Sequence, residues 1–122
     1  MLSHVFAMVV RLPDESKLTD VLKAVSEPRR RALLTLLVQN GPTRVTDLAR
    51  HFDVSLNAVS KHIKTLEAAG LVRRRTEWRE HLIEPDMGPV SEIDLWFREL
   101  RSIWEKRLDG LEELISEETE HE

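Results

Sequence analysis

Apolar residues recur three and four positions apart along most of the chain, a spacing that indicates amphipathic helices. The pattern predicts helices over residues 17–25, 28–39, 45–52, 55–69 and 90–116. Local signals set their ends: Pro28 suits a first turn, Asn40-Gly41-Pro42 a stop, and Ser55 an N-cap. The chain is therefore expected to be mainly helical.

Two strand-like runs, residues 71–75 and 81–84, lie between the fourth and fifth helices and predict a small β-hairpin. The expected order is helix, helix, helix-turn-helix, hairpin, long helix. This order predicts a mainly α fold, a winged helix-turn-helix with a two-stranded β-hairpin wing and a long C-terminal helix.

The fourth predicted helix has two distinct faces. Its apolar residues cluster on one side: Leu56, Val59, Ile63 and Leu66. Hydrogen-bonding and cationic residues occupy the opposite side and its flank: Asn57, Ser60, Lys61 and Lys64. An ordinary amphipathic surface helix has the same pattern. The preceding short helix, the tight turn and the arginines that follow favour a helix that reads the major groove of DNA.

The charge distribution supports this interpretation even though the whole chain carries −4. Residues 1–83 hold 14 Lys and Arg against 9 Asp and Glu, a net of +5. Residues 84–122 hold 4 against 13, a net of −9. A basic body followed by an acidic segment is therefore predicted, and only the body needs to meet phosphates.

The predicted wing adds a second surface for DNA. Arg73, Arg75 and Arg79 are expected to contact the phosphate backbone, although a solvated charged strand would have the same composition. Arg44 and Ser55, at the starts of the third and fourth helices, complete the predicted DNA-binding set. Trp78 lies near the hairpin tip, and the sequence leaves open whether it packs on the domain or touches a partner.

These features together resemble the ArsR-type family of winged helix-turn-helix repressors. The resemblance rests on Ser26-Glu27-Pro28-Arg29-Arg30-Arg31, residues 54–72 and the hairpin, and it covers about residues 18–115. It implies a bacterial homodimer that binds operator DNA and releases it on an inducing signal. It also implies that base contacts come from Leu56, Asn57, Ser60 and Lys61.

The chain departs from the metal-sensing members of that family. Those members carry cysteines in the helix that matches residues 45–52, which here reads VTDLARHF, and Asp/His ligands on the final helix. The resemblance is closer to the metal-free branch, in which a Gly stands where this chain has Trp78 before Arg79-Glu80-His81. We therefore expect no metal or other cofactor, and an inducing signal, small molecule or protein, that the sequence does not identify.

The long predicted helix carries a broad apolar stripe at helical spacing. Its residues are Ile93, Trp96, Phe97, Leu100, Trp104, Leu108, Leu111 and Ile115. So broad a face exceeds what one small domain needs to cover, which predicts dimerisation through this helix. The alternative is an ordinary core helix.

Composition narrows the remaining classes of function. Cysteine is absent, and the five histidines are scattered without metal-ligand spacing, so we expect no enzymatic activity. The longest apolar run near the start has six residues, too few to span a membrane, and we expect a cytoplasmic protein.

The predicted organisation is an arm (1–16), a DNA-binding domain (17–84), a dimerisation helix (90–116) and an acidic tail (117–122). A winged-helix module that binds protein and not DNA is the remaining alternative.

Overall fold

The computed structural model describes residues 15–121, which form five α-helices and three β-strands. The helices are α1 Glu15–Val25, α2 Pro28–Asn40, α3 Val45–Phe52, α4 Leu56–Ala68 and α5 Gly88–His121. The strands are β1 Thr43–Arg44, β2 Val72–Glu77 and β3 Glu80–Pro85. The predicted arm lies outside the described residues except for Glu15 and Ser16, which begin α1. The mainly helical winged helix-turn-helix is confirmed.

Local hydrogen bonds explain why the helices end where the sequence predicted. The carboxylate of Glu27 accepts a hydrogen bond from the amide of Arg30 at 3.1 Å and caps the start of α2. Gly41 ends the same helix with φ 78°, and its amide donates to the carbonyl of Leu37 at 2.7 Å. Glycine is favoured at this place because it has no Cβ and adopts a positive φ without strain.

The sheet has one strand more than the hairpin predicted from the sequence. β1 pairs antiparallel with β3, so that Thr43 lies opposite Ile83, and the strand order is β1-β3-β2. The sequence did not indicate this additional strand, because β1 has only two residues and no periodicity of its own. The hairpin itself is confirmed, with Glu77 opposite Glu80 as its last pair.

The hydrophobic core lies where α1 to α4 meet the inner face of the sheet. Its fully or nearly buried members are Val21, Ala24, Leu33, Leu37, Leu48, Ala49, Val59, Ile63, Leu66, Leu71, Val72 and Ile83. No polar or charged side chain of the described residues is buried with them. In α4, Val59, Ile63 and Leu66 of the predicted apolar face point inward as expected, whereas Leu56, at the start of the helix, is 49% exposed.

The last helix is longer than predicted. It begins at Gly88, whose amide donates to the Asp86 carboxylate at 3.0 Å, and it continues to His121. Residues 117–121, which the sequence assigned to an acidic tail, are thus its final turns. At 34 residues the helix is about 51 Å long at the standard rise.

The chain divides into two compact units at a point within α5. One unit comprises the helices α1 to α4, the sheet and the first residues of α5, up to Glu92. The other contains α5 from Ile93 onward. None of the described helices combines the length and the apolarity needed to cross a bilayer.

Candidate nucleic-acid interface

The turn between α3 and α4 fixes the angle at which the second helix leaves the first. Asp53 ends α3 in the left-handed conformation, φ 52°, which Asp tolerates better than most residues. The amide of Val54 donates to the carbonyl of Ala49 at 3.2 Å. The hydroxyl of Ser55 then accepts a hydrogen bond from the amide of Ala58 at 3.1 Å and caps α4. The predicted N-cap is therefore present.

Helix α4 is divided between a buried and an exposed side. Val59, Ile63 and Leu66 are at most 1% exposed, and they anchor the helix in the core. The residues predicted to face DNA lie away from that anchor: Leu56, Asn57, Lys61 and Lys64 are exposed, and Ser60 is half-buried. A hydrogen-bonding and cationic edge is thus held on a helix that the core keeps in place.

The two lysines of this edge have their charges available. Within the part of the chain that the structure describes, neither Lys61 nor Lys64 forms an ion pair with a carboxylate. A cation without a local partner can neutralise a phosphate without first breaking an internal contact. The edge therefore has both the groups and the free charge that DNA binding needs.

The arginines of the wing are arranged differently, because two of them share one carboxylate. Arg73 Nε lies 2.6 Å from Glu84 Oε1, and Arg75 Nη1 lies 3.4 Å from Glu84 Oε2. Arg75 also lies 3.6 Å from Glu77. The register explains the arrangement, since Arg73 is directly opposite Glu84 in the hairpin. The sequence alone does not indicate this role of Glu84, because its pairing with Arg73 depends on the register of the hairpin.

Arg79 differs from these two arginines. It is exposed in the hairpin turn and forms no ion pair with any residue from 15 to 119. Of the three predicted wing arginines, it is the one whose charge is not already compensated.

Arg44 connects the helix-turn-helix to the wing. Its guanidinium Nε donates a hydrogen bond to Asp47 at 3.0 Å, and Nη1 lies 3.7 Å from Glu80 near the hairpin tip. The hydrogen bond to Asp47, with the charges of Asp47 and Glu80, raises the pKa of Arg44 above its ordinary value. Arg44 is charged, as arginine is throughout proteins, and it is held between two carboxylates.

Two of the three arginines at the start of α2 have a structural role. Arg30 donates from Nε to the carbonyl of Ala24 at 2.7 Å, and Arg31 donates from Nη1 to the carbonyl of Val25 at 2.7 Å. These carbonyls end α1 and have no partner inside that helix. The two side chains thus join α1 to α2, which accounts for part of the Arg-Arg-Arg motif without DNA.

Helix α5, taken by itself, has a long exposed apolar face. Six of the eight predicted interface residues are at least 40% exposed: Phe97, Leu100, Trp104, Leu108, Leu111 and Ile115. Ile93 and Trp96 are half-buried. An exposed apolar surface of this extent is typical of a site of association.

The comparisons with known proteins agree with this geometry. A family model described as a helix-turn-helix domain matches residues 25–75. The HTH-type transcriptional regulator Rv2034 of Mycobacterium tuberculosis is 32% identical over 96 residues, which are 79% of this chain and 86% of that protein. The crystal structure of the ArsR family transcriptional regulator RHA00566 matches with a TM-score of 0.70 and 31% identity, over 77% of this chain and 96% of that one. The chain belongs to the ArsR family.

As an ArsR-family protein it is a DNA-binding transcriptional regulator. The solution structure of Mb0332 from Mycobacterium bovis, described as a homodimeric winged helix-turn-helix DNA-binding domain, shares the fold. It matches with a TM-score of 0.56 and 24% identity over 78% of this chain and 84% of that domain. In this fold α4 has the position of the recognition helix, and the β2–β3 hairpin has the position of the wing.

Proposed function

We propose that this regulator is a homodimeric repressor whose recognition helices read two half-sites of a near-palindromic operator. The half-sites would lie about one helical turn apart, the spacing at which a twofold dimer presents two recognition helices to one face of DNA. Leu56, Asn57, Ser60 and Lys61 would contact base edges, and Lys64 would contact phosphates further along the groove. A dimer bound at a promoter represses by occupying DNA that the polymerase needs.

The observation that carries this proposal is the division of α4. Three apolar side chains are buried, while the opposite edge presents an amide and two ammonium groups that form no ion pair with any described residue. Amides make paired hydrogen bonds with adenine, and lysines bond to guanine or to phosphate. A helix that only covered the core would not need this combination of groups on its outer edge.

Dimerisation is supported by the apolar face of α5. A twofold interface places the same patch of each protomer against the other, so a long self-complementary helix suits it. The aromatic rings of Trp96, Phe97 and Trp104 would supply much of the apolar area, because aromatic residues dominate the energetics of interfaces. Helix α5 of the partner is the proposed occupant of this face.

The inducing signal is proposed to be other than a metal ion. Residues 45–52 hold no cysteine, and the described residues contain no cluster of three or more His, Cys, Asp or Glu able to hold a metal. We expect zinc to leave operator affinity unchanged. A stoichiometric zinc titration that released DNA would contradict this part of the proposal.

The test begins with duplexes selected by the wild-type protein from a random pool. Binding to the selected duplex and to an unrelated one is measured by fluorescence anisotropy across a salt series. The repressor requires tighter binding to the selected duplex and an affinity that falls steeply with salt. A winged-helix module that binds only protein would show no such binding. A promoter–reporter fusion with and without the regulator then distinguishes repression from activation.

A further inference from the structure

Trp78 lies at the tip of the wing in a backbone conformation that tryptophan seldom adopts. Glu77 and Glu80 form the last pair of the hairpin, which leaves Trp78 and Arg79 as a two-residue loop. Trp78 has φ 59°, and Asp53 is the other non-glycine residue of the described chain with positive φ. A bulky residue is an outlier in this region, and hairpin loops of this length favour Gly, Asn or Asp there.

Packing does not account for this conformation. The Trp78 side chain is 90% exposed, and it forms no hydrogen bond or ring contact with another residue of the described chain. Strained backbone that no internal contact stabilises points to a role in binding. An exposed tryptophan likewise marks a surface that meets a partner, because its large apolar ring gains most when it is covered.

The charges around the ring indicate which partner it meets. The two acidic neighbours are already matched, since Glu77 lies 3.6 Å from Arg75 and Glu80 lies 3.7 Å from Arg44. Arg79 has no such partner among the described residues. The tip therefore presents an apolar ring beside one uncompensated cation.

The wing is also joined to the recognition helix. β2 begins four residues after α4 ends, and Arg74 Nε lies 3.2 Å from the Glu67 carboxylate of α4. When α4 enters the major groove, the hairpin is brought to the same duplex. An apolar ring next to an arginine matches the minor groove, where proteins place arginines and insert apolar side chains at deformable base steps.

We propose that Trp78 inserts into the minor groove that flanks each half-site and favours a flexible base step there. This inference rests on the proposed operator binding and adds to it a second, shape-based source of specificity. The base step would be a pyrimidine–purine step, because such steps unstack most easily. The insertion is repeated by the second protomer at the other flank.

The experiment compares the full-length wild type with Trp78→Gly. Two operator duplexes of about 30 base pairs, long enough for both half-sites and their flanks, differ only in the flanking step, TA or AA. Wild type is expected to prefer the TA duplex. Trp78→Gly is expected to bind it about tenfold more weakly, the loss typical of truncating an interface tryptophan, and to lose the preference. Its salt dependence should be unchanged, because no charge is removed.

Thermal unfolding separates this role from a structural one. Glycine adopts positive φ without strain, so Trp78→Gly should unfold at the same temperature as wild type or a higher one. Lower DNA affinity in a variant of equal or greater stability would establish Trp78 as a binding residue. Trp78→Phe, which keeps an apolar ring, should retain most of the affinity.

Labelling with 5-fluorotryptophan gives a direct readout, with the Trp78 resonance assigned from its absence in Trp78→Phe. That resonance should shift when the TA duplex is added. Wild-type affinity of Trp78→Gly for both duplexes, or an unshifted Trp78 resonance on saturated DNA, would overturn the inference while leaving operator binding intact. If the wild type binds no duplex in a salt-dependent manner, the proposed function fails first and this role fails with it.

Discussion

Ser55 combines a structural hydrogen bond with a position at the start of the recognition helix. Its hydroxyl accepts from the Ala58 amide, so Ser55→Ala should lower the free energy of unfolding by about 0.5–2 kcal/mol. Ser55→Asp retains a capping oxygen and should keep wild-type stability, but it places a negative charge where DNA phosphates are expected. Denaturant unfolding and operator anisotropy on both variants test the two effects separately. An aspartate variant with unchanged operator affinity would show that residue 55 is remote from the duplex.

Asn57 and Lys64 are expected to contribute different parts of the affinity. Asn57→Ala should cost roughly 1–3 kcal/mol on the selected operator and little on random duplex, because an amide reads base edges. Lys64→Ala is the matched control on the same helix and should weaken both duplexes alike. Equal losses on the two duplexes for Asn57→Ala would mean that this side chain does not read sequence.

At the scale of single residues, the features that the sequence predicts are those that depend on neighbouring positions in the chain. The cap at Ser55 and the glycine stop at Gly41 depend on residues three or four positions apart, and the exposed edge of α4 repeats at that same spacing, so the sequence predicts all three. The partners of the wing arginines depend on which residues face each other across the hairpin. The conformation of Trp78 depends on a turn whose usual glycine is missing, and no local pattern predicts it.

At the scale of secondary-structure elements, the hairpin contains a carboxylate that neutralises part of the charge of its own arginines. Glu84, whose side chain is 17% exposed, holds Arg73 and Arg75 together, so these arginines must leave a carboxylate before they reach a phosphate. Their individual contribution to affinity should therefore be smaller than that of Arg79. Exposed ion pairs are weak, and DNA can compete with them.

Glu84→Gln tests this arrangement. The change removes one negative charge from between two arginines, so affinity for random duplex should rise and its salt dependence should steepen by about one unit of slope. Glu105→Gln on α5 changes the net charge equally and serves as the control for long-range effects. If both variants behave alike, the paired carboxylate has no local effect on DNA binding.

The helices were easier to predict than the sheet for a physical reason. A helix closes its hydrogen bonds within four residues, whereas β1 exists only because Thr43 and Arg44 meet Ile83 and Leu82. The early start of α5 had a local signal in Asp86, which caps Gly88, but it was obscured by Pro85 and Pro89 nearby.

For the whole molecule, the exposed apolar stripe of α5 is the proposed dimer interface. Trp104 is 56% exposed in the single chain, and Trp104→Glu would place an unpaired charge in the proposed interface. We expect this variant to sediment as a monomer at concentrations where wild type is a dimer, and to bind the operator more weakly because two half-sites are no longer linked. Arg101→Glu, at an exposed polar position of the same helix, is the control. A Trp104→Glu dimer of unchanged affinity would exclude Trp104 from the interface.

The Glu84 carboxylate, which Arg73 and Arg75 share, also affects the number of copies of the regulator that a cell needs. A genome contains millions of competing non-specific sites for each operator, and a protein that binds every stretch of phosphate backbone strongly stays bound to those sites. Glu84 stays paired with the two arginines wherever no DNA phosphate is close enough to replace its carboxylate. We therefore expect the regulator to dissociate quickly from unrelated DNA, so that a small number of molecules can find and occupy one promoter.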